Sequence, residues 1–186
     1  MHLFELKELL CEGDLRSDGL SDDVVKIVLE NPGYFGELVD CLHDTNDKIR
    51  THASDALEKI LRSNIFLINS HLSNILLLAK QEQLSSVKMH YAMIFAYLWN
   101  EPNFLDEILK ILFSYFGDPN AFVVSWTISS LTIIASKVPK KRNEVIIRLK
   151  TYPFSSSKAI QTRLQKSLFI LEKNGKIPKS WIKKVI

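Results

Sequence analysis

One pattern returns along this chain every three dozen residues, and it limits the possible folds more than any other feature. Within 47–60, the apolar or small residues Ile49, Ala53, Ala56, Leu57 and Ile60 fall on one face of a helix. Steps of 38, 36 and 37 residues reproduce the same skeleton three more times. Ile49 becomes Val87, Val123 and Ile160; Leu57 becomes Phe95, Leu131 and Leu168; Ile60 becomes Leu98, Ile134 and Leu171. A repeat of this length marks units that cannot bury their apolar face alone and must stack on their neighbours.

Each of these helices follows a short polar break: Asp44-Thr45-Asn46-Asp47, Leu84-Ser85-Ser86, Asp118-Pro119-Asn120 and Ser155-Ser156-Ser157. Asp, Asn and Ser there can accept from the unpaired N–H groups of a first helical turn, so the breaks predict helix starts. Ahead of each break the apolar spacing predicts another helix, at about 34–43, 71–81, 104–116 and 143–151. Pro32, Pro102 and Pro139 stand before three of them, where a helix can begin but not extend backwards. The unit is helix, turn, helix.

The first copy resembles the HEAT-repeat (armadillo-like) family. That family's second helix follows an Asp with an aliphatic residue and Arg, then Ala, then Ala-Leu; here these are Asp47, Ile49, Arg50, Ala53 and Ala56-Leu57. Later copies depart from it. The Arg50 column reads Lys88, Val124 and Gln161, the Ala53 column reads Tyr91, Thr127 and Leu164, and the period is shorter than the roughly 40–47 usual for such repeats. The resemblance implies an all-α fold, a right-handed α-solenoid of about four HEAT-like helix pairs. The expected organisation is a single domain, 1–186. Residues 1–31 form a two-helix N-terminal cap, 32–173 the four repeats, and 174–186 a C-terminal cap.

Bulk properties narrow the class. With 46% hydrophobic and 24% charged residues the chain suits a globular protein, and six Gly with six Pro argue against a turn-rich β-sandwich. No apolar run approaches the ~20 residues of a spanning helix. The Met-His-Leu-Phe-Glu start lacks a basic segment ahead of an apolar one, so no secretory signal is expected. Cys11 and Cys41 stand alone, which suits a reducing, cytoplasmic setting and neither a disulfide framework nor a structural zinc site. The net charge of +3 hides a gradient: residues 1–60 carry 14 acids and 6 bases, residues 137–186 carry 2 acids and 14 bases. Such asymmetry concerns partners and steering.

Second helices usually line the concave side of a solenoid, so their outward columns predict a groove. The His52 column continues as His90, Trp126 and Arg163; the neighbouring columns add Met89, Met93, Tyr97 and Ile133. Met, Trp and Tyr in one patch point to a partner-binding surface, for a protein, a peptide or a second copy of the chain. The competing expectation is that curvature, or the 62–70 segment, covers these side chains.

No metal site is expected. His52 and His90 lack a converging third ligand, and His2, His43 and His71 are scattered. The His-Glu dipeptides of the HEAT-like di-iron hydroxylase are absent, and so are GxSxG, GxxxxGK[ST] and GxGxxG. No catalytic residue or cofactor is therefore assigned.

The basic third offers an alternative. Lys137, Lys140, Lys141 and Arg142 precede a predicted helix, Lys158 and Lys166 follow, and Lys179-Ser180-Trp181-Ile182-Lys183-Lys184 adds an indole that could stack on a base or rest at a membrane surface. Lys137, Lys140, Lys141, Arg142 and Lys166 are the phosphate-binding candidates. A related class of HEAT-like proteins excises alkylated bases from DNA with Trp, Asp and Arg on its concave face, and Trp126, Asp55 and Arg163 are residues of those types here. The leading expectation is a non-catalytic protein-binding scaffold; the alternative is a nucleic-acid-binding protein using the C-terminal third.

Overall fold

The structure, a computed structural model, describes residues 3–13, 19–153, 155 and 157–182. Ser156, His2, Lys183 and Lys184, named above, lie outside them. The described residues form ten α-helices and no strand: α1 Leu3–Cys11, α2 Ser21–Glu30, α3 Phe35–Cys41, α4 Asp47–Ser63, α5 Leu72–Gln81, α6 Ser85–Phe95, α7 Leu105–Ser114, α8 Ala121–Lys137, α9 Arg142–Lys150 and α10 Lys158–Lys173. None is long and apolar enough to cross a membrane. The described residues form two compact units, one up to residue 91 and one from residue 92 on, divided inside α6.

Helix starts repeat in atomic detail. In the first unit Asp44 Oδ1 accepts from Asn46 N at 2.8 Å, and Asn46 Oδ1 accepts from Lys48 N at 3.0 Å to open α4. In the second, Asp118 Oδ1 accepts from Asn120 N and Asn120 Oδ1 from Phe122 N, both at 2.9 Å, to open α8. The two Asn residues share one backbone conformation, φ −82°, ψ 113° and φ −85°, ψ 116°. Each cap satisfies donors that the first turn leaves unpaired. Ser157 does the same for α10.

In the first unit α4 is central, with α1, α2 and α3 all packed on it. Leu6, Leu10, Val24, Val28, Leu38, Ala53, Ala56, Leu57 and Ile60 are fully buried there. In the second unit α8 has that place: α7, α9 and α10 pack on it, and α9 also packs on α10. The α8–α10 contact, between second helices of consecutive copies, is the most extensive helix pairing in the unit. Val123, Leu131 and Ile134 of α8 are buried, as the repeat columns predict, whereas Leu168 of α10 is only half-buried.

Helix α6 ends at Phe95, before the Leu98 column. Its chain tightens into successive i→i+3 turns, with Ala96, Tyr97 and Leu98 N–H groups donating to the Met93, Ile94 and Phe95 carbonyls. Leu98 is buried nonetheless.

Candidate functional site

The expected Met and aromatic groove divides between the two units, and half of its members are sealed. In the first unit His52 is buried because it terminates another helix: its Nδ1–H donates to the Leu10 carbonyl at 2.8 Å, while Lys48 Nζ donates to the Cys11 carbonyl at 3.0 Å. Both oxygens belong to the last turn of α1, which its own helix leaves unpaired. His90 is buried beside Ser54, and Met89 is half-buried. In the second unit Met93 and Ile133 are buried, Ile133 in an apolar cluster with Ala96, Ile170 and Trp181. Tyr97, Trp126 and Arg163 are half-buried. The expectation that this column would face water is thus corrected at His52, His90, Met93 and Ile133, which are buried.

Ser54, His90 and Asp55 meet in the order hydroxyl, imidazole, carboxylate. Ser54 Oγ lies 2.8 Å from His90 Nδ1, and His90 Nε2 lies 3.7 Å from Asp55 Oδ1. Ser54 Oγ is also 2.9 Å from the Thr51 carbonyl and donates its one proton there, so it accepts from His90 Nδ1–H. A hydroxyl at 0% exposure that already donates to its own helix presents nothing to a substrate. Asp55 accepts from Ser21 Oγ and pairs with Lys59 Nζ, both at 2.6 Å, and Lys59 reaches Asp22 at 2.6 Å. The group ties α2, α4 and α6 together within the unit. Among the described residues no three of His, Cys, Asp and Glu converge as a metal site would require.

The cations of the second unit fall into two sets. Those clustered in sequence are mostly matched internally. Lys141 pairs with Asp106 at 2.6 Å and Glu144 at 3.2 Å, Arg142 Nη1 donates to Asn174 Oδ1 at 2.7 Å, and Lys150 pairs with Glu172 at 2.6 Å. Lys137 sits over the Trp99 ring and Arg148 over Phe113. Lys140 is exposed. The cations of α10 differ: among the described residues no carboxylate pairs with Lys158, Arg163 or Lys166.

These three line a recess of about 410 Å³ together with Ala159, Thr162, Ser180 and Trp181. Lys158, Thr162 and Lys166 are spaced at i, i+4 and i+8, one stripe of α10. The opposite wall arrives by a chain reversal. Asn174 adopts the left-handed conformation at φ 52°, Gly175 N–H donates to the Ile170 carbonyl, and α10 stops. Pro178 then opens the short 3₁₀ turn Lys179–Trp181, which plants Trp181 against Ile170, Ile133 and Ala96 at 5% exposure.

Arg163 is the half-buried cation of the lining. Its guanidinium carbon stands 4.8 Å from the Trp181 ring centroid and 5.7 Å from that of Trp126, and Nη1 donates to Ser129 Oγ on α8. Two indole faces and a hydroxyl fix the group without neutralising it. Burial pulls its pKa below the ordinary guanidinium value, yet the side chain stays charged at any physiological pH. The indoles spend their faces on Arg163, so Trp181 is not the stacking platform its sequence context suggested.

Of the phosphate-binding candidates, Lys166 lies in the recess; Lys137, Lys141 and Arg142 are engaged with partners of their own. Trp126 and Arg163 are brought together, whereas Asp55 is held in the first unit by Ser21 and Lys59. Thr162 and Ser180 were not singled out from sequence, and Lys158 only as one cation of the basic third, although the four-residue spacing of Lys158, Thr162 and Lys166 is visible in it.

No family model matches this chain, and no curated protein does. A solved crystal structure described as an engineered protein is similar in fold, with a TM-score of 0.64 and 18% identity, covering 93% of this chain and 80% of that one. At that identity the likeness concerns the fold alone.

Proposed function

We propose that this chain is a right-handed α-solenoid of about four HEAT-like helix pairs and works as a non-catalytic binding module for nucleic acid, held through its phosphates by the C-terminal third. The solenoid reading draws support from the duplicated Asp-x-Asn caps and from the packing of α8 on α10. One observation carries the functional reading: Lys158, Arg163 and Lys166 line one recess with no carboxylate paired to them among the described residues, while Lys141 and Lys150 of the same unit are matched by acids. Of the residues expected to line a Met and aromatic groove for a protein partner, His52, His90, Met93 and Ile133 are buried.

Fluorescence anisotropy with labelled single-stranded DNA, RNA and duplex tests the reading at salt concentrations from roughly 50 to 200 mM. Three phosphate contacts predict a log–log slope of about −2 to −3, with little dependence on sequence. No association at the lowest salt, or an affinity indifferent to salt, overturns it.

A further inference from the structure

We propose that the recess between α10 and the Lys179–Trp181 turn is a phosphate-group site, with Arg163 as its fixed central donor, Lys158 and Lys166 as flanking ammonium groups, and the Thr162 and Ser180 hydroxyls completing the shell. This assignment rests on the nucleic-acid reading and goes further, naming which group of the strand is held and by which residues.

Three observations carry it. First, the ligand must be an anion: three cations line one recess and none of them pairs with a carboxylate among the described residues. Second, the donor set exceeds what a carboxylate can use. A carboxylate presents two coplanar oxygens that a single guanidinium satisfies edge-on. A tetrahedral phosphate accepts from several directions at once, and here two ammonium groups, a guanidinium and two hydroxyls approach from α10 and from the opposite turn. Third, a base is excluded as the occupant. Arg163 lies over the faces of Trp126 and Trp181, and Trp181 is buried, so no free indole face lines the recess for a base to stack on.

The geometry also divides the roles. Arg163 is held before any ligand arrives, by two rings and by Ser129 Oγ, so little side-chain entropy is lost when it binds. Lys158 and Lys166 are exposed on the same stripe of α10 and line the recess with Arg163. A pre-set guanidinium between exposed ammonium groups suits one phosphate held firmly while its neighbours in the strand remain loose.

The experiment compares full-length Lys158→Met, Lys166→Met and Lys140→Met, three equal charge changes at exposed positions, the last outside the recess. Each is measured by anisotropy with a labelled single-stranded oligonucleotide. In parallel, inorganic phosphate and pyrophosphate are titrated into the wild-type and variant proteins while the indole N–H signals of Trp126 and Trp181 are followed by NMR. An octaglutamate peptide is the third probe. The expected result is about a tenfold loss of oligonucleotide affinity for Lys158→Met and Lys166→Met, with the salt slope reduced by about 1 in each. Lys140→Met should change affinity about twofold or less. Phosphate should shift both indole signals saturably in the wild type and in Lys140→Met, and much less in the other two. Equal losses in all three variants would overturn the recess while leaving nucleic-acid binding intact. Indole shifts with phosphate but no oligonucleotide binding would do the reverse. Octaglutamate binding as tightly as the oligonucleotide, with the same variants affected, would replace phosphate by carboxylate as the ligand.

Discussion

Replacing Asp55 by Asn leaves the shape of the first unit's polar group intact and removes its charge. In the native chain that carboxylate accepts from Ser21 Oγ and pairs with Lys59 at 2.6 Å each, and it faces His90 Nε2 at 3.7 Å. Hydrogen bonds to charged groups contribute roughly 1.5–3 kcal/mol, and breaking a buried ion pair costs about 3–5 kcal/mol. Lys59 keeps Asp22 as a partner after the substitution, and the Asp55 side chain is 16% exposed, so the lower part of that range applies. The expected loss is about 2–3 kcal/mol, whereas Asp22→Asn, on a side chain that is 68% exposed, should cost at most about 1 kcal/mol. Urea unfolding followed by far-UV circular dichroism measures both.

The pH dependence follows with a definite sign. Burial alone would raise the Asp55 pKa; the hydrogen bonds from Lys59 and Ser21, with the charges of His90 and Lys59, outweigh it and hold the carboxyl below its ordinary range. A depressed folded-state pKa contributes stability that is complete above the unfolded value, about 3.9, and is lost as pH falls through the folded one. The gap between wild type and Asp55→Asn should be full at neutral pH and close in acid. A variant within about 0.5 kcal/mol of wild type at pH 7, or a gap that persists to pH 2, refutes the reasoning.

Two further outcomes are expected. Gly19 has φ +53°, and a Cβ there would stand 2.6 Å from the Glu12 carbonyl oxygen and 2.9 Å from His52 Cε1, so Gly19→Ala should cost about 2–4 kcal/mol and lower Tm in a thermal melt; an unchanged Tm refutes the packing described for His52. Burial pushes the Cys41 thiol up to about 12, while Cys11 is exposed; iodoacetamide at pH 8 should therefore add one carbamidomethyl group to the native protein, at Cys11, and two in urea, and a second native adduct seen by mass spectrometry counts against a closed first unit.

Local signals in the sequence carried much of the fold. Asp44 and Asn46, and again Asp118 and Asn120, sit two residues apart because the cap is built within five residues, and a cap of that size is visible in any short window. The Ile49, Leu57 and Ile60 columns are legible for a similar reason, since helical period and burial coincide. Asn174-Gly175 is a common helix-stop pair, and the chain does reverse there. Less legible was anything decided by a distant partner. His52 lies on the face read as open, but α1 ends against it and its ring serves the Leu10 carbonyl. Lys141 reads as one of four clustered cations until Asp106, 35 residues earlier, is seen beside it. Trp181 reads as a free aromatic in a basic tail; the reversal after α10 turns it inward and gives its face to Arg163. Charge density in the sequence marked the C-terminal third, and internal pairing, which the sequence does not show, separates the cations matched by acids from those with no carboxylate partner among the described residues.

The chain's three tryptophans, Trp99, Trp126 and Trp181, all belong to the second unit. Intrinsic emission from this protein is accordingly a one-sided witness: a spectrum that stays constant through a titration or a melt says nothing of α1 to α5. Two of those indoles also lie beside a guanidinium, and the third beside Lys137, so their brightness answers to the arrangement of nearby cations as well as to solvent. An indole engineered into the N-terminal half would give that half a voice of its own.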